Sequence, residues 1–307
     1  MMCQWTLWSR RRGETLIRFD INQNLKEVFE DGQLPAMVYI SRQESTPEKI
    51  SRPLHSHESI CELLLVYKGT GTYQVGTSIY PIEEGCVAYY NQGDLHEIAT
   101  AEKTNIGHYC IGITNLRLKG LKKNQMVPEG GPYICHTGSL FSFLKTMCDQ
   151  IYMMEELNPV GQLASQLFCA SMVVIASQLD TFPQAMAAET KEEEFISRIL
   201  DYLNEHFTEE LNLDKIAEDM HCSATYVSHG LKKATGMTPI NYIIRRRIGL
   251  AQTMLISTDF TATQIATMVG YDNTNYFSTL FTKTVGMTPI RYRNMYLEKL
   301  RGRRDQS

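Results

Sequence analysis

No stretch of this 307-residue chain stays apolar for the roughly 20 residues that a membrane helix needs, so no membrane span is expected. The basic cluster Arg10, Arg11 and Arg12 is followed by no apolar h-region, and a secretory signal is not expected either. Tryptophan is scarce: only Trp5 and Trp8, within a first twenty residues to which the pattern assigns no role. The eight cysteines, Cys3, Cys61, Cys86, Cys110, Cys135, Cys148, Cys169 and Cys222, include no C-x-x-C pair. That pattern suits buried or free thiols in a reducing, cytoplasmic compartment better than a disulfide framework or a zinc knuckle. What remains is 43% hydrophobic and 21% charged, the balance of a soluble globular protein, with length for two domains.

The formal net charge of −4 conceals a division. Residues 191–219 hold three basic and ten acidic side chains, a net of −7, whereas 220–304 hold twelve basic and three acidic, a net of +9. Neutralising a phosphate backbone needs local positive charge, and the global sum is irrelevant to it.

Up to about Leu118, short β-forming segments alternate with Gly and Asn turns: 63–67, 71–75, 78–82, 86–90 and 106–114. Many short strands at close spacing predict a β-barrel or sandwich. Residues 116–132 read as a connection. Two helices follow, 139–157 and 160–179, with core stripes expected at Phe141, Leu144, Met147, Cys148 and Ile151, and at Leu163, Leu167, Ala170, Val174 and Leu179. Asn158-Pro159 separates them. Residues 181–194 read as a linker, and 195–207 as the first of a wholly helical remainder.

A repeat lies within that remainder. Ile216-Ala217 recurs as Ile265-Ala266 at an offset of 49, and Gly236-Met-Thr-Pro-Ile240 with Tyr242 recurs as Gly286-Met-Thr-Pro-Ile290 with Tyr292 at 50. Each unit reads helix, tight turn, helix. Asn212 or Asp214 starts the first, His221-Cys222 forms its turn, Ser223 caps its second helix and Gly236 ends it. In the second unit Gly270-Tyr271 forms the turn, Asp272 is the expected cap and Gly286 the end. Residues 239–257 form a connector with Arg247, Ala251 and Leu255 on one face. A helix-turn-helix places its second helix in the major groove, and two of them on successive grooves would lie about 34 Å apart.

The run from Ile265 to Arg293, Ile-Ala-Thr-Met-Val-Gly-Tyr-Asp-Asn-Thr-Asn-Tyr-Phe-Ser-Thr-Leu-Phe-Thr-Lys-Thr-Val-Gly-Met-Thr-Pro-Ile-Arg-Tyr-Arg, closely resembles the signature of AraC/XylS-type transcriptional regulators. The first unit, with Arg247-x-x-x-Ala251-x-x-Met254-Leu255, is similar too, and the resemblance spans roughly 195–296. It implies a sequence-specific bacterial regulator, often an activator. Carried over by position, the base-reading candidates are Ala224, Thr225, Ser228 and His229 in the first unit, and Asn273, Thr274, Asn275, Ser278 and Thr279 in the second. Lys232, Lys233, Arg245 and Lys283 are candidate phosphate contacts. Two departures from the pattern stand out: His229 and Thr279 occupy positions where arginine is common, and Gly230 sits mid-helix where a larger apolar residue is usual. The first unit is expected to be the weaker reader.

Upstream, His55-x-His57, Glu62 and Gly69, then Gly85, Gly93 and His96, resemble the two cupin motifs. Lys49 stands at the first motif's initial Gly, Asn91 at its second motif's Pro, and Thr100 at the terminal Asn. His55, His57, Glu62 and His96 form a set able to bind a divalent metal, or else the polar groups of an effector pocket. The resemblance to the regulator family favours the pocket, with no cofactor. Tyr67, Tyr73 and Tyr80 are added as aromatic walls that would stack on a sugar.

The expectation is an α+β chain. A cupin-like barrel (1–120) precedes a helix pair for dimerisation and a linker (121–190), a double helix-turn-helix domain (191–300) and a basic tail (301–307). Its partners would be a double-stranded promoter site, a small effector, a second copy of itself and, for an activator, RNA polymerase, with no membrane partner. A metal-dependent cupin enzyme with a helical appendage is the alternative, and it leaves the repeat and the +9 segment unexplained.

Overall fold

The computed structural model describes residues 24–44, 53–76, 78–99, 106–154, 159–179 and 191–304. The basic cluster at 10–12, both tryptophans, Cys3, Lys49, Thr100, Asn158 and residues 181–190 of the expected linker lie outside them.

Eight strands are described: β1 Ala36–Gln43, β2 Cys61–Lys68, β3 Thr70–Val75, β4 Ser78–Glu83, β5 Cys86–Tyr90, β6 His96–Ala99, β7 Gly107–Thr114 and β8 Ile134–His136. They form antiparallel sheets in the orders β1-β7-β2-β5-β8 and β4-β3-β6. Side chains alternate across a strand, so the larger sheet serves two cores. From β2, Cys61, Leu63 and Leu65 join Val87, Tyr89, Tyr109 and Ile111 on the outer face. Leu64 and Val66 point inward with Tyr73, Val75, Ala88 and Tyr90. Burial on both faces explains why β2 reads as an unbroken apolar run. The even register also carries Glu62 inward.

Helices α1 Phe141–Met154 and α2 Pro159–Ala176 cover the outer face, where Leu144, Met147, Cys148 and Ile151 meet the sheet. The helix pair therefore completes the barrel's core. Helix α2 corrects the sequence reading twice. Its 18 residues are apolar enough to span a membrane by length and composition alone. Its buried face is Gly161, Ser165, Cys169, Ala170, Met172, Val173 and Ala176, while Leu163 and Leu167, expected in the core, are exposed. Small residues let the helix lie close to its neighbours and leave the leucines outside. Gln166 also pairs with the backbone of Met37 on edge strand β1, donating at 2.9 Å and accepting at 2.7 Å, which blunts the edge.

The C-terminal half comprises α3 Lys191–His206, α4 Leu213–Asp219, α5 Ala224–Thr235, α6 Pro239–Ser257, α7 Ala262–Met268, α8 Thr274–Val285 and α9 Pro289–Arg304. Residues 191–194, read as linker, open α3; their carboxylates suit a helix N-terminus. Arg301 to Arg304, read as a tail, extend α9. Each unit has its own core: Ile199, Leu203, Ile216, Val227 and Leu231 in the first, and Ile265, Val269, Phe277, Phe281 and Tyr292 in the second. Helix α6 belongs to both, through Tyr242 and Ile243 on one side and Ile248, Ala251 and Leu255 on the other.

Arg247 ties the two units together. Its guanidinium donates to the carbonyls of Phe207 (2.6 Å), Glu209 (2.6 Å) and Gly270 (2.8 Å) and lies over the Tyr271 ring.

Candidate functional site

The barrel interior gathers the four motif residues. His55 and His96 are joined by a reciprocal backbone pair of 3.1 and 2.8 Å, and Glu62 arrives on the inward register of β2. Its carboxylate lies 3.1 Å from His57 Nε2 and 2.9 Å from His96 Nε2, and the Tyr39 hydroxyl donates to it. Gly112 makes that last contact possible, because a Cβ there would run into the Tyr39 ring. His55 Nδ1 donates to the Pro53 carbonyl (3.0 Å) and His96 Nδ1 to the Asp94 carbonyl (2.7 Å). A carbonyl only accepts, so both rings carry a proton on Nδ1 and turn Nε2 to the cluster. Burial alone would raise the Glu62 carboxyl. The hydrogen bonds from His57 and His96 overturn that and hold it well below the usual carboxylate range.

Beside the cluster is a cavity of about 690 Å³. Tyr39, His55, Glu62, Leu64, Gln74, Tyr90, His96, Glu97 and His108 line it from the barrel. Its remaining wall comes from the C-terminal half, Ala234 to Met237 and Arg245. Sequence reasoning missed this wall, along with Tyr90, Glu97 and His108. Arg245, expected on phosphate, instead grips Glu97, with Nε donating at 3.1 Å and Nη2 completing a fork. Glu97 is 2% exposed and 148 residues away in sequence, a pairing that no local pattern announces.

None of the three expected aromatic walls lines the cavity, and Tyr80 packs against the inner core instead. Tyr73 is buried, donates to the Tyr89 carbonyl and stacks on Tyr90, which in turn stacks on His96 at 3.8 Å; it supports the wall without being part of it. Tyr67 packs against Tyr109 and donates to the Gln43 carbonyl, filling the space left by Gly107. Asn91, a departure from the cupin motif, binds the 126–127 backbone in both directions.

The two units are built as the repeat requires, with one correction. Ser223 caps α5 by accepting from Tyr226 N, and Gly236 and Gly286 end α5 and α8 in the left-handed region. Asn212 caps α4. The cap of α8 is Asn273, which accepts from Asn275 N and Tyr276 N; Asp272 is the extra residue of the second turn. His221 (φ 54°) and Gly270 (φ 91°) occupy the same left-handed step. Thr225, His229, Asn275 and Thr279 are exposed, and Ala224, Ser228, Thr274 and Ser278 partly so. The Asn273 side chain is committed to its cap. Lys232, Lys233 and Lys283 are exposed in the last turns of α5 and α8, with Lys233 paired to Glu192. Gly230 has a physical reason: a Cβ there would press on Ile196 of α3.

Two family models match the chain, an AraC-like ligand binding domain over residues 38–170 and a helix-turn-helix domain over 216–295. This chain belongs to the AraC-type transcriptional regulators. Among similar proteins is the uncharacterized HTH-type transcriptional regulator YdiP of Escherichia coli strain K12, 26% identical over 79% of this chain and 81% of its own length. Another is the HTH-type transcriptional activator RhaS of Escherichia coli O6:H1, 28% identical over 77% and 86%. A solved structure, the C-terminal domain of the response regulator AraT from Geobacillus stearothermophilus, is 33% identical over 34% of this chain and 88% of its own, with a TM-score of 0.33. The regulator thus joins a ligand-binding domain to a DNA-binding domain. The α+β architecture read from the sequence stands.

Proposed function

We propose that this regulator binds a promoter through both helix-turn-helix units and answers to a small polar effector, a sugar or similar molecule, in the barrel cavity. The observation that carries this reading is the duplicated unit itself, each copy presenting an exposed second helix flanked by lysines. A mobility-shift titration tests it: specific fragments should outcompete random DNA at about 150 mM salt. Lys283→Gln should weaken binding to all sequences alike and lower the slope of log affinity against log salt by about 0.9, one phosphate's worth. Equal affinity for random DNA would sink the reading.

As an activator it would also contact RNA polymerase, in the cytoplasm. A homodimer is the proposed assembly. Val160, Leu163 and Leu167 form an exposed stripe on α2 and Phe143 and Met153 flank it from α1, an apolar face of the kind that marks protein contacts. Light scattering should find a dimer that Leu163→Glu with Leu167→Glu dissociates.

The converging cluster supports a second reading, in which His55, His57, Glu62 and His96 hold a divalent cation. Their ligand atoms lie within 4.8 Å of one another, and the Pro53 and Asp94 carbonyls hold the His55 and His96 rings in orientation through Nδ1. A bound cation would supply a Lewis-acid centre at the cavity floor. Elemental analysis after incubation with Zn²⁺ should give close to one ion per chain, lost in Glu62→Gln and His57→Ala. Wild type without retained metal after desalting excludes it. A metal-dependent cupin enzyme would require turnover in addition; the similar proteins are transcriptional regulators.

A further inference from the structure

We propose that the first helix-turn-helix unit is completed by the barrel: Leu54 supplies part of its core and so positions α5 for base reading, whereas the second unit stands on its own residues. This rests on promoter reading by both units.

The repeat sets the two cores side by side. At the offset of 50, Val227 corresponds to Phe277, Gly230 to Leu280, Leu231 to Phe281 and Thr235 to Val285. In every pair the residue of α5 is the smaller or the more polar one. Val227 and Leu231 are nevertheless as fully buried as the two phenylalanines. Protein interiors leave few voids, so the difference is filled from elsewhere. Ile196 of α3 lies against Gly230. The other contribution comes from outside the DNA-binding half: Leu54, fully buried, belongs to the first unit's core, and Leu95 packs against it. Among the described residues, the buried members of the second core all lie between Ile248 and Tyr292.

The barrel presents both leucines from a fixed backbone. Leu54 precedes His55 and Leu95 precedes His96, and the backbones of these histidines pair reciprocally. Side chains alternate along extended chain. The histidines therefore turn into the barrel while the leucines turn away from it, onto the first unit. On α6, Gly249 lets the Pro53 and Leu54 carbonyls rest directly on the helix, where any Cβ would collide with them. A mid-helix glycine permits such an approach at a cost in helix propensity. Truncating Leu54 opens a hole in the core that Val227 and Leu231 share. Helix α8 packs on the other end of α6, against Ile248, Ala251 and Leu255, and keeps its support.

The test uses the full chain. In hydrogen exchange without DNA, Leu54→Ala should speed exchange over 224–235 by roughly tenfold or more, while 274–285 and strand β2 keep wild-type rates. Leu54→Met nearly conserves volume and should stay within about threefold of wild type. The DNA probe is a duplex selected from random sequence by the wild-type chain. On it, Leu54→Ala should lose hydroxyl-radical protection over the half of the site that Thr225→Ala with His229→Ala also loses, and keep the other half. A residue that merely stabilised the chain would weaken both halves alike. Gly249→Ala changes no core side chain and by itself favours a helix; it should loosen 224–235 by lifting the 53–54 segment, and it decides the matter if Leu54→Ala also loosens β2. Equal loosening of α5 and α8, or loosening of neither, overturns the assignment of Leu54. A wild-type chain that selects no sequence overturns promoter reading instead, because exchange is measured without DNA.

Discussion

Gly270→Ala is expected to destabilise the DNA-binding half by roughly 2–4 kcal/mol, one of the largest effects available to a single methyl group here. Two penalties coincide. The backbone sits at φ 91°, where an L side chain is strained by about 1–2 kcal/mol. The added Cβ would also drive into the Thr208 carbonyl and crowd the Arg247 guanidinium, and a backbone oxygen cannot rotate away. His221, at the equivalent step of the first unit, shows that the left-handed conformation alone is tolerated; the collision is particular to Gly270. Thermal melts followed by circular dichroism should show a transition lowered by about 10 °C or more. A shift within about 2 °C would mean that the Thr208 segment yields freely.

Arg247→Met should cost about 3 kcal/mol or more. Methionine keeps much of the stem's volume and helix propensity, so the loss isolates the guanidinium. Without it the carbonyls of Phe207, Glu209 and Gly270 lose a shared donor. Arg247→Lys restores the charge but not the fork, since an ammonium is a point donor, and should recover less than half of the loss. Denaturant titration measures both. Because Gly270 and Arg247 meet at one junction, the double variant should be less destabilised than the two singles added together. Full additivity would show that the junction is not a unit.

The helical half was the more legible in the sequence because its signals are local. Caps, turn glycines and the duplicated Gly-Met-Thr-Pro-Ile frame each occupy a few neighbouring residues, and the helices begin and end where those residues place them. The error at Asp272 came from counting a turn one residue short. In the barrel, β2 to β5 and β7 were readable from β-forming runs, but β1, β6 and β8 were not. Strand β6 is four residues long, and β1 is a bulged edge held by Gln166. Leu163 and Leu167 show why helical periodicity alone misassigns a face: α2 has apolar residues on more than one side, and only packing decides which is covered. The cluster His55, His57, Glu62 and His96 was found through its resemblance to the cupin motifs. The other side of the cavity was invisible, since Glu97 and Arg245 meet only after both halves have folded and docked.

Helix α6 carries a constraint of its own. One residue inserted into it would rotate everything beyond by about 100° and advance it by about 1.5 Å. The second reader would then leave the face of the duplex that the first one holds. The turn before α8, by contrast, has absorbed one residue more than its counterpart before α5. Length change in this half is thus permitted within a unit and forbidden between units. If both units read one face of a duplex, as proposed, the register of this half would have to match the helical repeat of the DNA, and natural variation in length should respect that boundary.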